Sequence, residues 1–255
     1  MPAPMHSLTG PTPHLIAEVL AYFVAARVYW QFSRNAPVTP AAIDRFCLLA
    51  AAVFGAAIGS KGLHVLEHLP FLIAQDNREL WIGGKSVLGG FLGGTLAVEI
   101  TKRMIRWAAP TGDPWVPALA TGLCIGRIGC QLSGTWDTTY GIPTSLPWAW
   151  DYGDGVGRHP AALYEILLVA ALFALVWRNA ALRAAPGARF AAFLLGYCTI
   201  RLLLEFLKPP FGAAAPNDLP VALYLGLTAI QWAAMVGAVA YSMLLRTRLA
   251  APKLH

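Results

Sequence analysis

At 255 residues, 57% hydrophobic and only 13% charged, with a mean hydropathy of +0.55, the chain has too little polar surface to coat a water-soluble globule. The composition points to an integral membrane protein. A net charge of +6 does not signal nucleic acid here, because Lys and Arg punctuate apolar stretches instead of forming a patch.

Met1 to Pro13 carries no Lys or Arg, so a secretory leader is not expected and the first apolar segment is read as a retained span. A helical span needs about 20 mainly apolar residues, since its backbone must satisfy its own hydrogen bonds in lipid. Seven stretches qualify: His14 to Phe32, Phe46 to Leu69, Val87 to Trp107, Trp115 to Ser133, Pro160 to Trp177, Phe190 to Leu207 and Val221 to Leu245. Turn formers separate them, among them Pro37 and Pro40, Gly83-Gly84, Pro110 to Pro114, Pro186-Gly187 and Pro209-Pro210. Cys47, Cys124, Cys130 and Cys198 lie within apolar stretches without the spacing of a disulfide framework or metal knuckle, and are read as small core residues.

Of the 19 Lys and Arg residues, twelve follow the first, third, fifth and seventh stretches, which places those ends in the cytoplasm. The expected fold class is therefore all-α: one polytopic transmembrane domain over residues 1–255 with seven membrane helices, N-terminus outside and C-terminus cytoplasmic. The connection at about 134–159, with Trp136, Tyr140, Trp148, Trp150 and Tyr152, is then an outer loop resting on the membrane surface.

An arginine inside hydrocarbon costs about 2.5–3.5 kcal/mol, so it needs an anionic partner or a wet cavity. Arg127, between Gly126 and Gly129, is such an arginine, and thin helix walls there let a bulky ligand approach the guanidinium. It reads either as a fork for phosphate or carboxylate or as half of a structural pair with Glu18 or Glu165. Arg201 and Glu205 stand one helical turn apart, with Lys208 a turn further on. This group is either a helix-bridging ion pair or, with Arg127, a second cation for one lipid phosphate.

The run Gly83 to Gly94 holds six glycines. It lines a cavity with exposed N–H groups, packs closely through Gly90 and Gly94, or does both. His64-Val65-Leu66-Glu67-His68 matches H-x-x-E-H, an inverted zinc-peptidase pattern, and reads equally as an interfacial cap. His159-Pro160 opens the fifth stretch, and Tyr164 and Glu165 follow just over one turn deeper.

These blocks, GGKSVLGGFLGG from Gly83, GRIGCQLSG from Gly126, YGIPTSLPWA from Tyr140, RHPAALYE from Arg158 and RLLLEFLK from Arg201, resemble in order those of the prolipoprotein diacylglyceryl transferases. The resemblance implies a seven-span enzyme of the bacterial cytoplasmic (inner) membrane. Such enzymes transfer the diacylglyceryl group of phosphatidylglycerol to the lipobox cysteine of a prolipoprotein, giving a thioether and glycerol phosphate.

It further implies that Arg127 and Arg201 hold the donor phosphate and that Glu205 orients Arg201. His159 and His64 are candidate proton acceptors. Gly83, Gly84, Ser86, Gly89, Gly90, Gly129, Cys130, Tyr140, Gly141, Tyr164 and Glu165 would surround the donor. Partners are membrane lipids and the prolipoprotein, with no cofactor, no metal and no nucleic acid expected. Three departures accompany the match: Leu88 stands where the family's histidine precedes the second glycine pair, Cys130 replaces a common asparagine, and SGTWDTTYG lengthens the family's NGELWG-like continuation. Leucine neither gives nor takes a proton. Competing readings are a non-catalytic or altered-acceptor lipid-binding paralogue, a membrane zinc metallopeptidase using His64, Glu67 and His68, and, more weakly, a transporter.

Overall fold

The computed structural model describes residues 10–34, 40–74, 81, 84–137, 139–209 and 221–250. Among these, seven helices of 18 or more residues follow the seven apolar stretches: α1 (Pro11–Ser33), α2 (Ala42–Ala74), α3 (Val87–Met104), α4 (Trp115–Leu132), α5 (Ala161–Arg178), α7 (Ala188–Glu205) and α8 (Ala229–Ala250). A short α6 (Ala180–Ala184) links α5 to α7 and is capped by Asn179, which accepts the Leu182 amide at 3.0 Å. Four helices, α1, α2, α5 and α8, are long and apolar enough to cross a membrane. The other three long helices, α3, α4 and α7, carry glycines and charges that dilute their hydropathy, and of those charges Lys102, Arg127, Arg201 and Glu205 are buried.

Two boundaries depart from expectation. The second helix runs one turn past Leu69, through Pro70. The last apolar stretch does not begin as helix at Val221: β3 (Leu223–Tyr224) pairs antiparallel with β4 (Leu227–Thr228) before α8 starts. Leu225 and Gly226 both take positive φ, 52° and 82°, which is the geometry of a tight two-residue hairpin turn. Apolar composition alone cannot separate such a hairpin from a helical turn.

The helices pack in pairs. A Cβ on Gly59 or on Gly89 would overlap the other residue's carbonyl, and Gly55 and Gly93 meet the same way, so α2 and α3 cross backbone to backbone. The tight crossing uses Gly89 and Gly93, whereas Gly90 and Gly94, expected from the sequence to mediate it, stand slightly further off. On the other side, α1 lies along α4, with Tyr29 stacked on Trp115 at 4.0 Å. Between the two pairs, α7 collects the core: Phe193, Leu194, Tyr197 and Cys198 pack with Leu63, Leu88, Val116, Val169 and Ala234.

The connection from α4 to α5 holds a second hairpin, β1 (Trp150–Asp151) with β2 (Gly157–Arg158). Trp136, Trp148 and Trp150 are exposed as expected, but Tyr140 and Tyr152 are buried against each other at 5.6 Å. The Tyr152 hydroxyl donates to Gln131 Oε1 at 3.1 Å, tying the loop to α4, so these two rings are anchors and not part of a surface belt. Gly141 threads between His159 and Leu207, where the Gly141 and Ile142 amides donate to their carbonyls at 2.8 and 2.7 Å. No side chain fits that passage.

Candidate functional site

Three helices each deliver charge to one buried point. Arg127 of α4 places Nε 3.0 Å from Glu165 Oε2, and Arg201 of α7 places Nη1 3.0 Å from the same oxygen. Glu165, on the first turns of α5, is only 2% exposed, and its Oε1 accepts the Tyr197 hydroxyl at 2.9 Å. Arg201 Nη2 reaches Glu205 at 3.0 Å, and Lys208 stands 3.8 Å from that carboxylate. Buried charges persist only when paired and hydrogen-bonded. Three basic side chains, Arg127, Arg201 and Lys208, and the carboxyls of Glu165 and Glu205 stand around this point, with that of Glu67 in electrostatic reach.

Of the two partners open to Arg127 in the sequence, the structure takes Glu165; Glu18 pairs with Lys85 instead. Both guanidiniums converge, as the phosphate reading requires, but in this state the shared anion is the protein's own carboxylate. Tyr197 was not singled out from sequence, although it lies one turn before Arg201 on the same face.

A second group adjoins the first. Arg127 Nη1 lies 3.6 Å from Cys130 Sγ, which in turn is 3.9 Å from His14 Nδ1, and that nitrogen is 2.8 Å from Asp137 Oδ2. His14 and Asp137 were missed by sequence reasoning, since they are far apart in the chain and only the packing of α1 on α4 unites them. Asp137 sits outside the helices: burial pushes its carboxyl up, but the hydrogen bond from His14 prevails and holds it below the ordinary range.

The remaining predicted residues fall into two further places. His159 Nδ1 is 3.2 Å from the Tyr164 hydroxyl, which also accepts the Trp148 indole N–H at 2.7 Å. Arg158 covers the Tyr140 ring at 4.9 Å and pairs with Asp154 at 2.7 Å. His64 lies against Gly84, whose φ of +40° and lack of a Cβ admit the imidazole, and Lys61 donates to the Gly84 carbonyl at 2.9 Å.

Ser86 caps α3, accepting the Gly89 amide at 3.3 Å. Gly89 faces α2, with Gly90 at van der Waals distance from it, and Gly129 faces α1. These glycines serve helix packing. Gly83 lies outside the described residues. His64, Glu67 and His68 do not bring three ligand atoms together; among the described residues that arrangement occurs at His14, Cys130 and Asp137. Glu67 instead lies within electrostatic reach of Glu205, Lys208 and Arg201. Leu88 is 1% exposed in the apolar core, so packing takes the place where the resemblance expects an acid–base group.

Residues 14–247 match the family model described as prolipoprotein diacylglyceryl transferase. The chain belongs to that family. It is 37% identical over 166 residues to a phosphatidylglycerol–prolipoprotein diacylglyceryl transferase of Nitrosomonas europaea, covering 62% of this chain and 58% of that protein. A protein of the same name from Cereibacter sphaeroides is 35% identical over 234 residues, 80% of this chain and 78% of its own length. One from Bordetella parapertussis is 34% identical over 171 residues, with 64% of each chain covered. The chain thus spans about six-tenths of the length of the Nitrosomonas and Bordetella relatives.

Proposed function

We propose that the chain transfers the diacylglyceryl group of phosphatidylglycerol to the lipobox cysteine thiol of a prolipoprotein, releasing glycerol phosphate. The observation that carries the reading is the meeting of Arg127 and Arg201 on one buried oxygen position. When phosphatidylglycerol enters, its phosphate takes up the guanidinium donors and Glu165 yields part of its hold. As the ester C–O bond breaks, charge grows on the phosphate oxygen, and preorganised cations in a water-poor site stabilise that charge strongly. Glu205 and Tyr197 keep Arg201 and Glu165 oriented, and the loop anchored by Tyr140 and Tyr152 closes the outer side.

In this reading the seven long helices are seven spans in the bacterial cytoplasmic (inner) membrane, the N-terminus is outside, and both substrates arrive from the outer leaflet. The test is incubation with labelled phosphatidylglycerol and a lipobox peptide, followed by mass spectrometry. The expected product is the peptide plus one diacylglyceryl unit, lost in Arg127→Ala and in Arg201→Ala. Lipid turnover that survives both substitutions overturns the assignment.

The burial of Leu88 favours a second reading, a lipid-binding relative without transferase activity. Complementation separates the two: only a transferase restores lipoprotein lipidation to a bacterium depleted of its own enzyme.

A further inference from the structure

Two departures from the family's blocks meet at one place in the fold. Cys130 stands where the resemblance expects asparagine, and the lengthened continuation after it supplies Asp137. The packing of α1 on α4 brings His14 to both. The three ligand atoms, His14 Nδ1, Cys130 Sγ and an Asp137 carboxylate oxygen, lie within 4.8 Å of one another, with His14 Nδ1 2.8 Å from Asp137 Oδ2 and 3.9 Å from Cys130 Sγ.

Zinc bonds of about 2.3 Å to sulfur and about 2.0–2.2 Å to nitrogen and oxygen set tetrahedral ligand atoms roughly 3.3–3.6 Å apart. Shifts of about 0.5 Å bring the two measured spacings to those values, and the Cys130–Asp137 pair starts within 4.8 Å. Outer partners are already present. Arg127 Nη1, 3.6 Å from Cys130 Sγ, favours the thiolate, and the Thr139 amide holds the other carboxylate oxygen of Asp137 at 3.2 Å. Cys130 and Asp137 are buried while the His14 side chain is 32% exposed, which leaves an approach from the loop side.

We propose that His14, Cys130 and Asp137 form a zinc site whose open fourth position takes the thiolate of the acceptor cysteine. Three protein ligands and one open position are the mark of catalytic zinc. The proposal rests on the transferase reading for its acceptor, and it accounts for Leu88, because a thiol that coordinates zinc is deprotonated outright and needs no histidine base.

The step balances without oxidant or reductant. The acceptor thiol gives its proton to water on binding the metal. A sulfur lone pair then forms the C–S bond to the glyceryl carbon, and the C–O bond to the donor phosphate breaks with its electron pair leaving on the phosphate oxygen. Arg127 touches both halves of the site, so nucleophile and leaving group lie on either side of one guanidinium.

The test uses the full chain in detergent, stripped with chelator and titrated with Co2+. One equivalent should bind, with a thiolate-to-cobalt charge-transfer band and tetrahedral visible bands, and Zn2+ should displace it. Cys130→Ser and Asp137→Asn should lose the signal, and Cys47→Ser should keep it. A lipobox cysteine peptide should strengthen the charge-transfer band by adding a second thiolate, while its serine analogue leaves the band unchanged.

Failure of the wild-type chain to bind Co2+ stoichiometrically, or a band indifferent to the cysteine peptide, overturns the proposal. Undiminished transfer by metal-free protein overturns it too and leaves the transferase reading standing. A bound metal that responds to the peptide thiol, with no product from phosphatidylglycerol, supports the site and removes the transferase reading.

Discussion

Replacing Glu165 with Gln tests the centre of the site most directly. The carboxylate accepts from Arg127 and Arg201 at 3.0 Å each and from Tyr197 at 2.9 Å, with 2% of the residue exposed. At an effective dielectric near 20, each ion pair contributes about 5.5 kcal/mol of gross attraction. Desolvation cancels most of that, and removing one partner of a buried pair typically leaves a net loss of about 3–5 kcal/mol. Glutamine removes the charge and keeps one acceptor: with its oxygen toward the two guanidiniums its N–H faces the Tyr197 hydroxyl, and with the amide flipped its N–H faces both guanidiniums.

For a chain of this size, where about 1 kcal/mol shifts Tm by roughly 2–4 °C, the melting point followed by tryptophan fluorescence in neutral detergent should fall by about 6–20 °C. Phosphatidylglycerol in the micelles should return part of the loss, because an anion that binds only the folded site stabilises it. It should return little to a Glu165→Gln/Arg201→Gln double variant. A Tm change below about 2 °C refutes the reasoning, since Arg127 and Arg201 would then have to share other anions equally well.

Gly89→Ala forces a Cβ into the Gly59 carbonyl, and overpacking of that kind costs about 1–3 kcal/mol, visible as a lowered Tm. Asp113 accepts the Gly187 and Phe190 amides at 2.7 and 3.0 Å and so caps the start of α7; Asp113→Ala should cost about 1–2 kcal/mol by the same measurement. In the connection from α4 to α5 the Arg158 hydrogen bond holds the Asp154 carboxyl below its ordinary range. The folded form therefore has the lower pKa, so this contribution is complete above the ordinary carboxylate range and is lost as pH falls through the depressed value. Trp148 and Trp150 fluorescence should report that acid step, and Asp154→Asn should remove it; an unchanged step in the variant contradicts the assignment.

What the sequence made legible was whatever repeats locally. The seven apolar stretches correspond to the seven long helices because hydrophobic runs between Pro and Gly signals are a local property, and the Arg201–Glu205–Lys208 group could be read from helical spacing alone. The cost of burying guanidinium demanded a partner for Arg127 and left Glu18 and Glu165 both open; that the partner is Glu165, shared with Arg201, depends on how α5 packs between α4 and α7. Gly55 and Gly59 carried no signal until α3 was seen against them, because a small-residue seam needs both helices. The hairpin at Leu223 to Thr228 hid inside an apolar run, and its one cue was the Leu225-Gly226 pair. His14 and Asp137 belong together only through the fold.

Under the proposed function, the single oxygen that two guanidiniums share has a consequence for turnover. A ligand arriving there meets no bare positive field; it exchanges with an occupant tethered to the wall, so its affinity is the difference between two similar interactions rather than the sum of one. Such a pocket grips weakly and releases quickly, and in a membrane crowded with anionic headgroups that keeps it from being clogged by the first lipid to enter.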